Sequence, residues 1–143
     1  MKYKAIKNFY NGQFHVSASP ERLDVTSPLD GSLLSSVPLS SKEELNQAVE
    51  SAKGAFEDWS HTTIKDRVQV FFKYRTLLEN YSDELTALVS EENGKTEGEA
   101  RAEIDKSIEL TEFAVSMPQL VSGEVLEVSR GVECRTDHFP LGV

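Results

Sequence analysis

A chain of 143 residues that is 38% hydrophobic and 27% charged has enough apolar side chains for one folded core and is not a disordered tail. Lys and Arg number 15 against 24 Asp and Glu, a formal charge of -9 that repels a phosphate backbone and an anionic bilayer, so nucleic acid and membrane surfaces are excluded as partners. The lone Cys134 rules out an internal disulfide framework and a multi-cysteine zinc cluster; with no apolar leader segment behind MKYKAIKNFY and no apolar run long enough to cross a bilayer, the cytoplasm is the expected compartment.

Residues 6 to 16, IKNFYNGQFHV, set Asn11-Gly12 between Phe9-Tyr10 and Phe14. Both turn residues tolerate the positive φ of a type I′ turn, which predicts a short N-terminal hairpin. RLDVTSPLDGSLLSSVPLS carries a second turn at Pro28-Leu29-Asp30-Gly31 between two extended pieces, with Pro38 closing the second. From Ser41 the period lengthens, and Leu45, Ala48, Val49, Ala52, Ala55, Phe56 and Trp59 fall on one helical stripe behind a Ser41/Glu44 capping box. Thr63 and Asp66 open a second helix in the same pattern, with Val68, Phe71, Phe72 and Leu78 assigned to the core. Ser82 is expected to cap a third helix with Leu85, Leu88 and Val89 inward. A fourth starts near Thr96, carries Ala100, Ile104, Ile108 and Val115, and is expected to stop at Pro118. GEVLEV and VECRTDHF, separated by Ser129-Arg130-Gly131, read as a strand pair. The chain therefore divides into strands and turns over 1–40, a helical layer over 41–118 and a strand pair over 119–143. The apolar FPLGV at its end reads as a strand interrupted part-way.

Gly94-Lys95-Thr96 is the tripeptide that closes a phosphate-binding P-loop, but the glycine needed five positions before Gly94 is Val89, and Glu91 and Glu92 would face the anion. A joint between helices accounts for all three residues: Gly94 supplies a left-handed C-terminal residue, Lys95 is the link and Thr96 with Glu99 caps the next helix. Cys134 and His138 lie about 13 Å apart along a strand, too far for direct activation of the thiol, and Cys134 reads as an ordinary strand residue. Glu99 and Glu103 share a helix face at i and i+4 without a histidine, the pattern of a solvated acidic face. His15 and His61 have no second ligand nearby, and no G-x-G-x-x-G is present. The residues by themselves describe a helix-rich, acidic module without a complete active site.

The order of these segments resembles the N-terminal part of the aldehyde dehydrogenase superfamily over nearly the whole chain. FYNGQF is similar to that family's I-N-G-x-x hairpin and VTSPLDGSLLSSVP to its N-P-x-x-G-x-x-x-x-x-V segment. ELNQAVESAKGAFEDWS resembles the A-V-x-A-A-x-x-A-F-x-x-W helix. RVQVFFKYRTLLENYSDELTALVSEENGKTEGEARAEI resembles the R-x-x-x-L stretch that runs through E-x-G-K into E-A-x-x-E, and PLGV matches the family's P-L-G-V. Each motif is weak alone, and together in this order they are specific. The final GEVLEVSRGVECRTDHFPLGV resembles most the methylmalonate-semialdehyde dehydrogenase branch, with one departure: that branch carries an arginine on the fourth helix for the substrate carboxylate, where this chain has Lys106. Lysine keeps the charge and loses the bidentate fork.

The resemblance implies an α/β, aldehyde dehydrogenase-like fold in the intact protein, of which this chain is a helix-rich α+β fragment. It implies an enzyme in which a cysteine thiolate attacks a small aldehyde, a carboxylated semialdehyde among the candidates, hydride passes to NAD or NADP, and the thioester is released to water or coenzyme A. The nucleophile, the base, the oxyanion-hole asparagine and the nucleotide-binding strands are expected beyond Val143, so the fragment alone is expected to be inactive and to bind no cofactor. In some relatives a carboxylate at the position of Glu103 helps hold a monovalent cation with carbonyls from the Val25-Thr26 region. The last two strands are implied to join subunits, which makes a homo-oligomer the expected assembly. Two other readings stand beside this one: a free-standing helical protein-interaction module without catalysis, and a small NTPase that would lose nucleotide on Lys95→Ala.

Overall fold

Asn11 (φ 49°) and Gly12 (φ 71°) both take the left-handed backbone that a two-residue hairpin requires, and they join β1 (Asn8–Tyr10) to β2 (Gln13–His15). The computed structural model describes residues 1–143, and in it Phe9 lies opposite Phe14 across this hairpin, ring centroids 4.9 Å apart. The second turn follows the same local logic. β3 (Arg22–Thr26) and β4 (Leu33–Pro38) are antiparallel, with an irregularity between Val25 and Thr26, and Asp30 accepts the Ser32 N–H to close the turn. One feature of this ribbon has no local signature: the backbone N–H groups of Lys2, Tyr3 and Ile6 donate to the carbonyls of Leu33, Leu34 and Ser36, so the N-terminal residues cover the outer edge of β4.

Five helices follow: α1 (Lys42–Trp59), α2 (Ile64–Asn80), α3 (Ser82–Asn93), α4 (Glu97–Val115) and α5 (Met117–Leu120). Ser41 with Glu44 and Thr96 with Glu99 form complete capping boxes, and the Thr63 hydroxyl accepts from the Asp66 N–H. Ser82, however, is not a cap. It is the first residue of α3, and the cap position falls to Tyr81, whose N–H continues α2 onto Leu77 O while its own carbonyl receives the Leu85 N–H. A one-residue joint leaves no extended residue from which a hydroxyl could reach back. Pro118 also differs from expectation. α4 ends at Val115, and Pro118 lies in the first turn of α5, where its missing N–H costs nothing.

α4 is the centre of the helical layer, packed against both α2 and α3. Its Ala100, Ile104 and Thr111 are buried, together with Val68 and Leu78 of α2 and Thr86 of α3. Small residues at the contact, with Ala100 0% exposed, let the helix backbones approach closely. Phe71 and Phe72, expected in the core, are exposed at 41% and 48%, and the apolar stripe of α1 is only partly covered, with Ala48, Ala52 and Phe56 half-buried and Leu45, Val49 and Trp59 exposed. Periodicity fixes which residues share a face; it does not supply the surface that covers the face. Finally β5 (Glu124–Ser129) and β6 (Val132–Thr136) form an antiparallel ribbon exposed on both faces and shorter than expected, with Asp137, His138 and Phe139 outside it. The three strand pairs stay separate, and the whole is the α+β fragment anticipated, with a fifth short helix. No helix is long and apolar enough to cross a membrane.

Candidate functional site

The joint between α3 and α4 gives each residue of Gly94-Lys95-Thr96 a structural role. Gly94 takes φ 68° and returns its N–H to Ser90 O, and the Ser90 hydroxyl donates to Lys95 O at 2.8 Å. The Lys95 ammonium is paired with Glu103, nearly two turns into α4, and the Thr96 hydroxyl both accepts the Glu99 N–H and donates to Glu99 Oε2. Glu99 is therefore committed to the cap: the Thr96 hydroxyl first, then the Thr96 N–H, hold its carboxyl below the usual carboxylate value. The joint reading stands in place of the P-loop, because Gly94, the Lys95 ammonium and the Thr96 hydroxyl are each engaged within the two helices they connect.

The outer face of α4 carries the two residues singled out by the resemblance. Glu103 and Lys106 are three residues apart, hence neighbours on the helix surface. Each has its own partner. Glu103 holds Lys95, and Lys106 Nζ donates to Glu109 Oε2 at 2.8 Å, both ends of that second pair well exposed. Farther along, Arg75 of α2 bridges Glu112 and Glu79 at 2.7 Å, and its guanidinium is held in the charged form chiefly by Glu112. Lys106 thus shares its charge with a single exposed carboxylate three residues away on its own helix.

A metal or a dinucleotide finds less here. Nowhere do three His, Cys, Asp or Glu side chains gather as a metal would need, and Glu103 is paired with the Lys95 ammonium. Cys134 is exposed on β6 opposite Leu126, with His138 beyond the strand. His15 stacks on Tyr10 at 3.9 Å, and His61 lies against Glu57 O. Of the helix N-termini, α1, α2, α3 and α4 all carry carboxylates in the first turn, which opposes a pyrophosphate. The cleft of about 740 Å³ between the N-terminus, the β3–β4 turn and α3–α4 sets Asp30, Asp83, Glu91 and Glu97 against Lys2 and Arg101.

Residues 15–143 match the model of the aldehyde dehydrogenase family. The chain belongs to that family. It is 40% identical over 141 residues to malonate-semialdehyde dehydrogenase 2 of Geobacillus thermodenitrificans (strain NG80-2), a match that covers 98% of this chain and 29% of the relative. Among solved structures it is similar to methylmalonate-semialdehyde dehydrogenase (DddC) from Oceanimonas doudoroffii, with TM-score 0.88, 31% identity, and coverage of 96% of this chain and 28% of that one. A Sinorhizobium meliloti 1021 structure complexed with NAD, provisionally described as a methylmalonate-semialdehyde dehydrogenase, gives TM-score 0.84 at 32% identity over 94% of this chain and 28% of its own. The chain thus spans under a third of the length of these relatives, and it matches their N-terminal part. Because the similarity runs through strands, helices and joints alike, the reading as a free-standing helical interaction module has no support.

Sequence reasoning missed the cross-element pairs: Lys2 and Tyr3 with Glu91, Arg101 with Asp83, and Ser17 and Ala18 with Glu44. The first spans 88 and 89 positions, and no local pattern could have indicated it.

Proposed function

We propose that this chain is the N-terminal scaffold and subunit-joining region of an NAD(P)+-dependent dehydrogenase that oxidises a carboxylated semialdehyde. The reading is carried by the 40% identity to a malonate-semialdehyde dehydrogenase over 98% of the chain. In it, Lys106 gives the substrate carboxylate a single ammonium in place of a bidentate guanidinium, turning from its exposed partner Glu109. The nicotinamide nucleotide, and water or coenzyme A as acceptor of the acyl group, are handled by parts of the enzyme other than these residues, whose helix N-termini and cleft are lined with carboxylates. The uncovered aromatic face of α2 and the apolar stripe of α1 are the surfaces on which those parts would pack. A cytoplasmic location accords with the unpaired Cys134.

The test is a chimera in which these 143 residues replace the matched N-terminal segment of the Geobacillus enzyme. NAD+-dependent oxidation of malonate semialdehyde, followed as absorbance of the reduced nucleotide, is the expected result; a folded chimera without that activity would refute the proposal. The purified chain alone is expected to bind no NAD+ in calorimetry, and saturable binding would contradict the assignment. The β5–β6 ribbon, with Val125, Leu126, Val128 and Val132 exposed and unpaired outer edges, is the proposed subunit-joining element. A light-scattering mass that stays monomeric in the chimera would remove that role.

A further inference from the structure

The amino-terminal residues are attached in an unusual way. Their N–H groups at Lys2, Tyr3 and Ile6 bond the outer edge of β4, and the buried Ser35 donates its hydroxyl to Lys4 O at 2.8 Å. Their side chains then reach a different element: Lys2 Nζ donates to Glu91 Oε1 at 2.6 Å and Tyr3 Oη to Glu91 Oε2 at 2.7 Å, so both carboxylate oxygens of one α3 residue are taken by one segment. Beneath this bridge lies a cavity of about 280 Å³ lined by Tyr3, Ile6, Val25, Leu34 and Leu88. Over this cavity the segment makes few dispersion contacts, so hydrogen bonds hold it: the backbone bonds and the Ser35–Lys4 bond tie it to β4, and the two bonds to Glu91 are its tie to α3.

We propose that residues 2–6 form a detachable strap latched to α3 by Glu91, and that protonation of this carboxylate releases the strap and uncovers the outer edge of β4. Glu91 is only 24% exposed at the side chain, which keeps the latch from being a freely solvated surface pair. The groups around it are Lys2 and Tyr3 from the strap, Asp30 from the β3–β4 turn, Asp83 and Glu92 from α3, Glu97 and Arg101 from α4, and Lys4 on the far side of the cavity. Arg101 is engaged with Asp83, which leaves Lys2 as the cation that serves Glu91. Lys2 first, then the Tyr3 hydroxyl, hold the Glu91 carboxyl below its ordinary value, against smaller opposing pushes from desolvation and, least, from Asp30. With the folded value lowered, the latch is fully made above the unfolded carboxylate value and is lost as pH falls through the folded one. The released strap leaves the N–H and C=O groups of the β4 edge unpaired, open to another strand.

Amide hydrogen exchange on the full 143-residue chain tests this, read as protection factors so that intrinsic pH dependence cancels. In Glu91→Gln, protection at Tyr3 and Ile6 is expected to fall roughly tenfold or more while Ile104 in α4 is unchanged; equal protection at Tyr3 and Ile6 would overturn the latch. The wild type is expected to lose the same protection as pH drops below about 4.3, and Glu91→Gln to show no such pH dependence. Wild-type protection that ignores pH over that range would overturn the acid release. Should Glu91→Gln disturb Ile104 as well, the Lys2→Met, Tyr3→Phe double variant decides, because it removes the latch without touching α3: undiminished strap protection there refutes the proposal.

Discussion

Replacing Gly94 by alanine tests the α3–α4 joint at the point where two constraints meet. Gly94 sits at φ 68°, and a Cβ placed there would come within 2.9 Å of Pro28 Cγ on the β3–β4 turn. The backbone part costs an L-residue roughly 1–2 kcal/mol. Relief of the contact requires Pro28, a ring fixed in a tight turn, to move by a few tenths of an ångström, adding on the order of 1 kcal/mol. A total near 2–3 kcal/mol at about 3–4 °C per kcal/mol for a chain of this size lowers Tm by roughly 6–12 °C, read by circular dichroism at the helical band. Gly131→Ala provides the reference, since Gly131 has φ 76° with nothing within 4 Å of its would-be Cβ, and it should show the backbone part alone. Gly94→Ala combined with Pro28→Ala should recover the steric part and leave the rest. If Gly94→Ala falls no further than Gly131→Ala, the turn does not press on the joint and the reasoning fails.

Three other outcomes follow from the same geometry. Thr96→Ala should cost about 1 kcal/mol by removing the cap of α4; because Glu99 is lowered in the fold, its contribution is present above the unfolded carboxylate value and disappears as pH falls through the folded one, so a pH series of melting curves should be flatter in Thr96→Ala than in wild type. In the Geobacillus chimera, Lys106→Met should raise KM for malonate semialdehyde by roughly tenfold or more and leave propanal, which has no carboxylate, unchanged, whereas Lys106→Arg should keep or lower KM; equal effects on both aldehydes would remove Lys106 from carboxylate binding. If Glu103 contributes to a monovalent-cation site, the Lys95 ammonium must first be displaced, so added potassium should raise the Tm of Lys95→Met and not that of the wild type, and no potassium effect in either would take Glu103 out of that role.

What the sequence disclosed and what it hid divide by distance along the chain. The Asn11-Gly12 turn, the Ser41/Glu44 and Thr96/Glu99 boxes and the Gly94 cap are each decided within four residues, because the bonds involved are short-range and the residue types have few alternatives. Ser82 was misread for the complementary reason. A cap needs an extended residue before the helix, and whether one exists depends on how α2 ends, which the Ser82 side does not record. Phe71 and Phe72 were placed in the core from their period alone, although Ala100, Thr86 and Thr111 occupy the helix contact. A small residue lets helices close together, and periodicity weighted by hydrophobicity passes over it.

The division has a consequence for the candidate site. Glu103 was singled out as an acid on an open helix face, yet its neighbour in space is Lys95, eight positions back and on the far side of a helix start. The turn at Gly94 makes that meeting: the left-handed residue ends α3, Thr96 starts α4, and the single residue between them is left with a side chain free to run alongside the new helix. Lysine at that link is therefore explained by Glu103 as well as by the carbonyl end of α3. Lys106, one turn beyond Glu103, has no such partner brought to it by the fold and depends on Glu109 of its own helix. Both pairs are exposed and worth no more than about 1 kcal/mol, so a carboxylated ligand displaces Glu109 at little cost and a cation arriving at Glu103 displaces Lys95 at a similar one. The Lys106→Met and potassium measurements therefore decide between an anion at Lys106 and a cation at Glu103, because neither pairing by itself does.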